Sequence, residues 1–420
     1  MSQLFCVLLI LLVPFAIAGL AIINTGLGRA RSAAHSMMAS LCVAAVAAGV
    51  FFVCGFAWEG LAGGPAHIAT LGGKGWNWLG AERWFFRGIA LDGSPVSLVV
   101  LLELFSVGLA ALIPVGSGAE RWRLGSCFAS TALFGGWTYP LFAHWIWGGG
   151  WLAQLDTNYG LGHGFLDAGG SSAIQAVGGL TALSIAWILK PRRGKYASEG
   201  MPAAIPGHNA TYVLFGCVLT LVGWIGMNSA GAILFTGAEP GRVVLVAVNT
   251  IMAAISALLA AALITRIRFG KPDASLSANG WVAGLAASSA GCAVLVPAES
   301  VVVGLIAGAL TPFCVEWLEL YLSVDDPGGA ISVHAIGGIW GVLAVGIFAP
   351  GPEGQLMAQL VGIATLLGCM LPMTYGLNWL LNWVSPQRVA PEAERHGMDL
   401  YELGAGAYPE FLSHDEFSAR

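Results

Sequence analysis

Eleven separate runs of about twenty apolar residues leave this chain few options for folding. They lie near 4–26, 35–57, 95–117, 124–146, 167–189, 210–234, 243–265, 276–297, 299–321, 328–349 and 356–383. Each is long enough to cross a hydrocarbon core ~30 Å thick as a helix. Only structures that pair their own backbone groups persist there. Of 420 residues, 57% are hydrophobic and 10% charged, too few charges to cover a soluble enzyme of this size. Glycine, at 59 residues, is about twice its ordinary frequency, as suits helices that pack through small side chains. The expected fold is an all-α polytopic membrane protein. The first run lacks a basic leader and exceeds a signal-peptide core, so it reads as a retained span.

The net charge of −5 implies no nucleic-acid partner, and no basic cluster carries interleaved aromatics. The eight cysteines are scattered without a C-x-x-C pair, which suggests neither a disulfide framework nor a zinc site, and no cofactor is indicated. Basic residues set the orientation. With the N-terminus outside, one face receives Arg29, Arg31, Arg121, Arg123, Lys190, Arg192, Arg193, Lys195, Arg266, Arg268, Lys271, Arg388, Arg395 and Arg420. The other receives Lys74, Arg83, Arg87 and Arg242. The positive-inside rule then predicts an N-out/C-in topology. A Gly- and Trp-rich loop, 58–94, is expected outside as a folded lid. The tail 385–420 carries seven acids (Glu392, Glu394, Asp399, Glu402, Glu410, Asp415 and Glu416) and reads as a solvated, partly disordered end.

A long-range self-match points to the centre. Residues 167–180 read D-A-G-G-S-S-A-I-Q-A-V-G-G-L and 326–339 read D-P-G-G-A-I-S-V-H-A-I-G-G-I. These segments open the fifth and tenth spans, so equivalent helices run in opposite directions. That is a five-plus-five inverted repeat, the mark of transporters with a midplane site between halves. The match pairs Gln175 with His334, each eight residues after its Asp. A polar group at that depth is expensive unless it has a partner or lines a pathway. His334 is therefore a candidate pore residue, with a satisfied core histidine as the plainer alternative.

The fourth span ends in A-H-W-I-W-G-G-G-W, with Trp145, Trp147 and Trp151, followed by Tyr159. Interfacial Trp belts are ordinary, but the glycines after Trp147 allow its ring to overhang a cavity and attract a small cation. Asp167 either adds a negative field there or caps the fifth span, and the two roles are compatible. Glu103, inside the third span, either pairs with a polar group near the aromatic site or holds water.

These residues together resemble the ammonium transporter (Amt/Mep/Rh) family. The likeness is carried by A-E-R at 119–121, W-I-W-G-G-G at 145–150, G-W-I-G-M-N at 223–228, D-D-P…V-H-A-I-G-G at 325–338 and E-A-E-R-H-G-M-D-L in the tail. It implies eleven transmembrane helices, a membrane domain over 1–384 and a cytoplasmic tail over 385–420. The halves are about 1–189 and 210–349, with a last helix at about 356–383. It further implies a homotrimer in the bacterial inner membrane, nitrogen uptake, and a P-II type regulatory protein meeting the tail. By the resemblance, Trp147 matches the recruiting tryptophan, Asp167 the structural aspartate and His334 the second pore histidine. Gln175 stands where the first pore histidine is expected, Met227 at the lower gate phenylalanine and Gly231 at a recruitment serine. Spacing from Glu120 puts Ser106 at the upper gate, with Phe105, one residue away, as a further candidate for the gate and for the recruitment site.

Carrying ammonium dehydrated through an apolar tube is very costly, so ammonia plus a separately moved proton is cheaper. Paired imidazoles can relay that proton, whereas a glutamine does not titrate near neutral pH. Three functions follow: an ammonium or ammonia channel with altered proton coupling, a conductor of another small neutral molecule such as CO2 or methylamine through a softer Met227 gate, and a non-conducting ammonium sensor signalling through the tail. No G-x-S-x-G, P-loop or helical metal-ligand pair favours an enzyme.

Overall fold

The computed structural model describes residues 2–196, 201–408 and 410. Asp415, Glu416 and Arg420 lie outside the described residues. Nine described helices are long and apolar enough to cross a membrane. We label them, with two more helices between them, in chain order. The first half contains α1 Gln3–Leu27, α2 Ala30–Glu59, α3 Pro95–Gly118, α4 124–146 and α5 Ser171–Leu189. The second contains α6 Ala210–Thr236, α7 Pro240–Phe269, α8 Ala274–Gly291, α9 Pro297–Leu322 and α10 Ile331–Phe348, followed by α11 Gln355–Val384. The two helices outside those nine, α4 and α8, stand where the fourth and eighth apolar runs lie.

Helix ends follow local chemistry. Ser94, Asn209 and Asp273 accept N–H groups from the first turns of α3, α6 and α8. Gly237 and Gly270 close α6 and α7 in the left-handed conformation. Helix α1 packs closely against α6, where Gly19 meets Gly216 and Thr220, and Gly223 meets Ala16. Small residues let these backbones approach and gain dispersion contacts that lipid does not supply.

The loop 58–94 folds as anticipated from its composition. Strands β1 His67–Leu71 and β2 Lys74–Leu79 form an antiparallel hairpin closed by Gly72 and Gly73. Both glycines have positive φ, as a tight hairpin turn requires. Trp76 and Trp78 of β2 pack on Trp151, and Trp145 donates its indole N–H to the Trp78 carbonyl at 2.9 Å. The hairpin therefore lies on one end of the bundle.

Most of the basic loops meet at the opposite end. Arg192 reaches Asp325 with two nitrogens at 2.9 Å each and Glu120 at 2.8 Å; Arg121 donates to the Asp325 carbonyl at 2.7 Å. Burial opposes ionisation of Asp325, but hydrogen bonds from Arg192 and the charges of Arg121 and Arg192 outweigh it and hold its carboxyl at about 2. The described part of the tail also packs here instead of extending into solvent. Asp399 accepts from the Ala34 and His35 amides at 3.1 and 2.7 Å. Glu402 meets His35 Nε2 at 3.1 Å and the Leu124 amide at 2.8 Å. These acids occupy the starts of α2 and α4, where free N–H groups favour negative charge.

At the centre, α5 and α10 each open with a wide π-turn, Ser171–Ala176 and Ile331–Ile336. A Cβ at Gly179 would overlap the Ala335 backbone nitrogen, and one at Gly338 would overlap the Ser171 carbonyl. The close approach is thus reciprocal between segments that match in sequence.

Gly179→Val or Gly338→Val should force these backbones apart and cost about 1–3 kcal/mol, as other overpacked cores do. The check is melting temperature in detergent; melting at the wild-type temperature would refute the crossing. Asp325→Asn should be more damaging, about 3–5 kcal/mol, because it removes the carboxylate that faces both buried guanidiniums and leaves Arg192 only Glu120 as an ionic partner. An unfolded aspartate titrates near ~4, above the folded group. The stabilisation from Asp325 should therefore be complete above about pH 4 and drain away as pH falls toward about 2. Acid unfolding of wild type against the variant reads that difference.

Candidate functional site

The crossing of α5 and α10 presses two polar side chains together in an apolar interior. His334 Nδ1 lies 2.7 Å from Gln175 Oε1, and the two residues are at most 2% exposed. An amide oxygen only accepts, so Nδ1 carries the hydrogen and Nε2 keeps its lone pair. The amide nitrogen of Gln175 is buried without a protein partner. The pair thus offers one free donor and one free acceptor where the two matching segments meet. Asp167 and Asp326, equivalent in the match, each cap the helix that carries one of them. Asp167 accepts from the Gly170 and Ser171 amides at 2.8 Å and from Ser172 N and Oγ at 2.6 and 2.5 Å. Asp326 accepts from Ile331 N at 2.7 Å.

The hairpin end carries a cavity of about 360 Å³ lined by Glu59, Arg83, Val96, Val99, Trp147 and Phe235 among others. The glycines after Trp147 are required by packing. A Cβ at Gly148 would overlap the Glu59 carbonyl, and one at Gly150 would crowd the backbone of His144 and Trp145. This turn leaves Trp147 parallel to Phe235 with ring centroids 4.2 Å apart and 4° between planes. The Trp147 indole N–H donates to the Asp167 carbonyl oxygen at 2.8 Å, tying the ring to the start of α5. Both Asp167 carboxylate oxygens are taken by its cap, so its link to this cavity runs through the backbone. Trp145 and Trp151 belong to the hairpin's aromatic cluster instead.

The gate positions separate on α3. Ser106 is buried with its hydroxyl returned to the Leu102 carbonyl at 3.0 Å. It shares a face with Val96, Val99 and Glu103, spaced three or four residues apart. Phe105 lies with Leu101 and Leu104 on the half-buried side of the helix. Met227 is buried within the main apolar cluster. Gly231 lies against the Ala168 carbonyl, too close for a side chain.

Sequence reasoning missed Phe235, the stacking partner of Trp147, because one phenylalanine on an apolar helix carries no distinguishing signal. Glu59 and the Tyr139 partner of Glu103 were also missed. An acid at the end of one span and another inside the next were the available clue.

A family model described as Ammonium Transporter Family matches residues 4–408. The ammonium transporter Amt2 of Archaeoglobus fulgidus is 38% identical over 431 residues, spanning 96% of this chain and 86% of that protein. Among solved structures, one described as a sensor Amt protein superposes with a TM-score of 0.86 at 28% identity, covering 95% of this chain and 97% of that one. Candida albicans Mep2 shares the fold with a TM-score of 0.81 at 23% identity, covering 98% and 91%. With a match running from the first apolar helix into the tail, the chain belongs to the ammonium transporter family.

Proposed function

We propose that this protein moves ammonium across a bacterial inner membrane as ammonia, with the accompanying proton handled apart from the Gln175–His334 pair. The observation that carries the reading is the 2.7 Å contact of His334 with Gln175 at the crossing of α5 and α10. Ammonia accepts one hydrogen bond and donates three, so it can accept a hydrogen bond from Gln175 Nε2 and donate one to His334 Nε2. The site is matched to the neutral molecule, because neither group offers the negative charge that a dehydrated cation needs.

In this reading the eleven helices are eleven spans with the N-terminus outside, and the halves form an inverted five-plus-five repeat. The separation of hairpin and basic loops to opposite ends supports that orientation. The cavity under the hairpin is then the external vestibule. Trp147 recruits the cation on its ring face, with Asp167 positioning that ring and Phe235 backing it. Ser106, Phe105 and Met227 are the gate positions along the path. The family likeness supports a homotrimer and a P-II type partner at the tail.

A second reading, a sensor that binds ammonium and signals through its tail, has one observation in its favour. Asp399 and Glu402 of the tail are first-turn partners of α2 and α4, so a change among the helices would be felt there. The relative described as a sensor Amt protein agrees with that possibility.

Purified protein in liposomes should give ammonium-evoked currents and uptake of labelled methylammonium; binding with zero flux would decide for the sensor. Trp147→Leu should raise the half-saturating ammonium concentration about two- to thirtyfold, the range of a lost cation–π contact. An unchanged saturation curve would remove Trp147 from recruitment. Gln175→His should increase the charge moved per ammonia by supplying a titratable partner; identical currents would mean that proton transfer is not limited at this position.

A further inference from the structure

Two acidic side chains mark the way in from the vestibule: Glu59 lines it, and Glu103 lies one turn beyond its lining residue Val99 on α3. Glu59 ends α2 and Glu103 sits within α3; both are at most 1% exposed. They are within electrostatic reach of each other. None of the ion pairs among the described residues involves either carboxylate. The groups facing them are Tyr139 and His144 of α4, with Arg83 in the lining of the cavity beside Glu59. Tyr139 donates its hydroxyl to Glu103 Oε2 at 2.5 Å. His144 is held between the Glu59 carbonyl and Asn77 Oδ1, the latter at 2.9 Å, which fixes the end of α2. Glu103 Oε1 and Glu59 Oε2 remain, both buried and both without a protein partner.

Unpaired acceptors of this kind are expensive in an apolar interior. Two free acceptor oxygens so placed suit a small cation that donates a hydrogen bond to each. Their position is informative as well. Val96 and Val99 line the vestibule, and Glu103 is one turn further along the same face of α3. Ser106 follows, then Ala110 and Ile113, which pack against Gly178 of α5, three residues beyond Gln175.

We propose that Glu59 and Glu103 form an inner site for the entering cation, at which the pair takes up the cation's proton. The proposal rests on the ammonium-transport reading above. An N–H bond of ammonium breaks, and its hydrogen forms an O–H bond on one of the two orphaned carboxylate oxygens. The nitrogen keeps the electron pair and continues inward as ammonia. The net charge of the pair thereby rises by one. This places the titrating function upstream of position 175, where an amide performs none.

The test uses full-length protein in liposomes, with ammonium-concentration jumps read as currents over a range of external pH. Glu59→Gln and Glu103→Gln should each lower the current at least tenfold and flatten its pH dependence. The double variant should be no worse than the single ones, since the residues act as one unit. Glu103→Asp should recover part of the current. Glu59→Gln leaves the Tyr139 bond to Glu103 intact, so it carries the test even if Glu103→Gln fails to fold. Wild-type currents and pH profile in Glu59→Gln would overturn the acid pair while leaving transport standing. A wild-type protein giving neither current nor ammonium-dependent thermal stabilisation would overturn the transport reading beneath it.

Discussion

The structure depends on how closely two helix backbones can approach inside a membrane. Water drives apolar side chains together in a soluble core, but lipid is as apolar as leucine and gives no such push. The helices here meet through glycines. At the centre the contact is reciprocal, Gly179 under Ala335 and Gly338 under Ser171. That approach brings Gln175 and His334 into hydrogen-bond contact and lets neither be solvated. A longer side chain at either glycine would separate the helices and their polar pair together.

The same constraint organises the ends of the molecule. A capped helix start is the least costly place to leave backbone N–H groups, and the chain repeatedly uses acids there. Asp167 and Asp326 serve α5 and α10, and Asp399 and Glu402 serve α2 and α4. Acidic residues in an apolar protein are therefore mostly structural. Glu59 and Glu103 stand out because, among the described residues, neither carboxylate caps a helix or joins an ion pair, and each keeps a buried oxygen without a partner.

Much of this was legible in the sequence, for identifiable reasons. Long apolar runs mark helices by length alone, and the match of 167–180 to 326–339 singled out Gln175 and His334 because a polar residue among aliphatics is conspicuous. Trp147 was legible from the glycines that follow it. Other features were not. Trp145 and Trp151 differ from Trp147 only through the hairpin they pack against, and pairing across a turn some seventy residues away leaves no local trace. Phe105 and Ser106 are adjacent in the chain but about 100° apart on a helix, so spacing from Glu120 alone left open which faces inward. The tail's acid content suggested solvation, whereas Asp399 and Glu402 are consumed by backbone amides of α2 and α4.

The anchoring of that tail has a mechanical consequence. Asp399 and Glu402 stand at the first turns of α2 and α4, helices from the half that carries Gln175. Peeling the segment away would strip both helices of their terminal partners at once, at about 1 kcal/mol for each lost cap. A macromolecule gripping the tail would therefore pull on the bundle itself, with two of its rods as the levers.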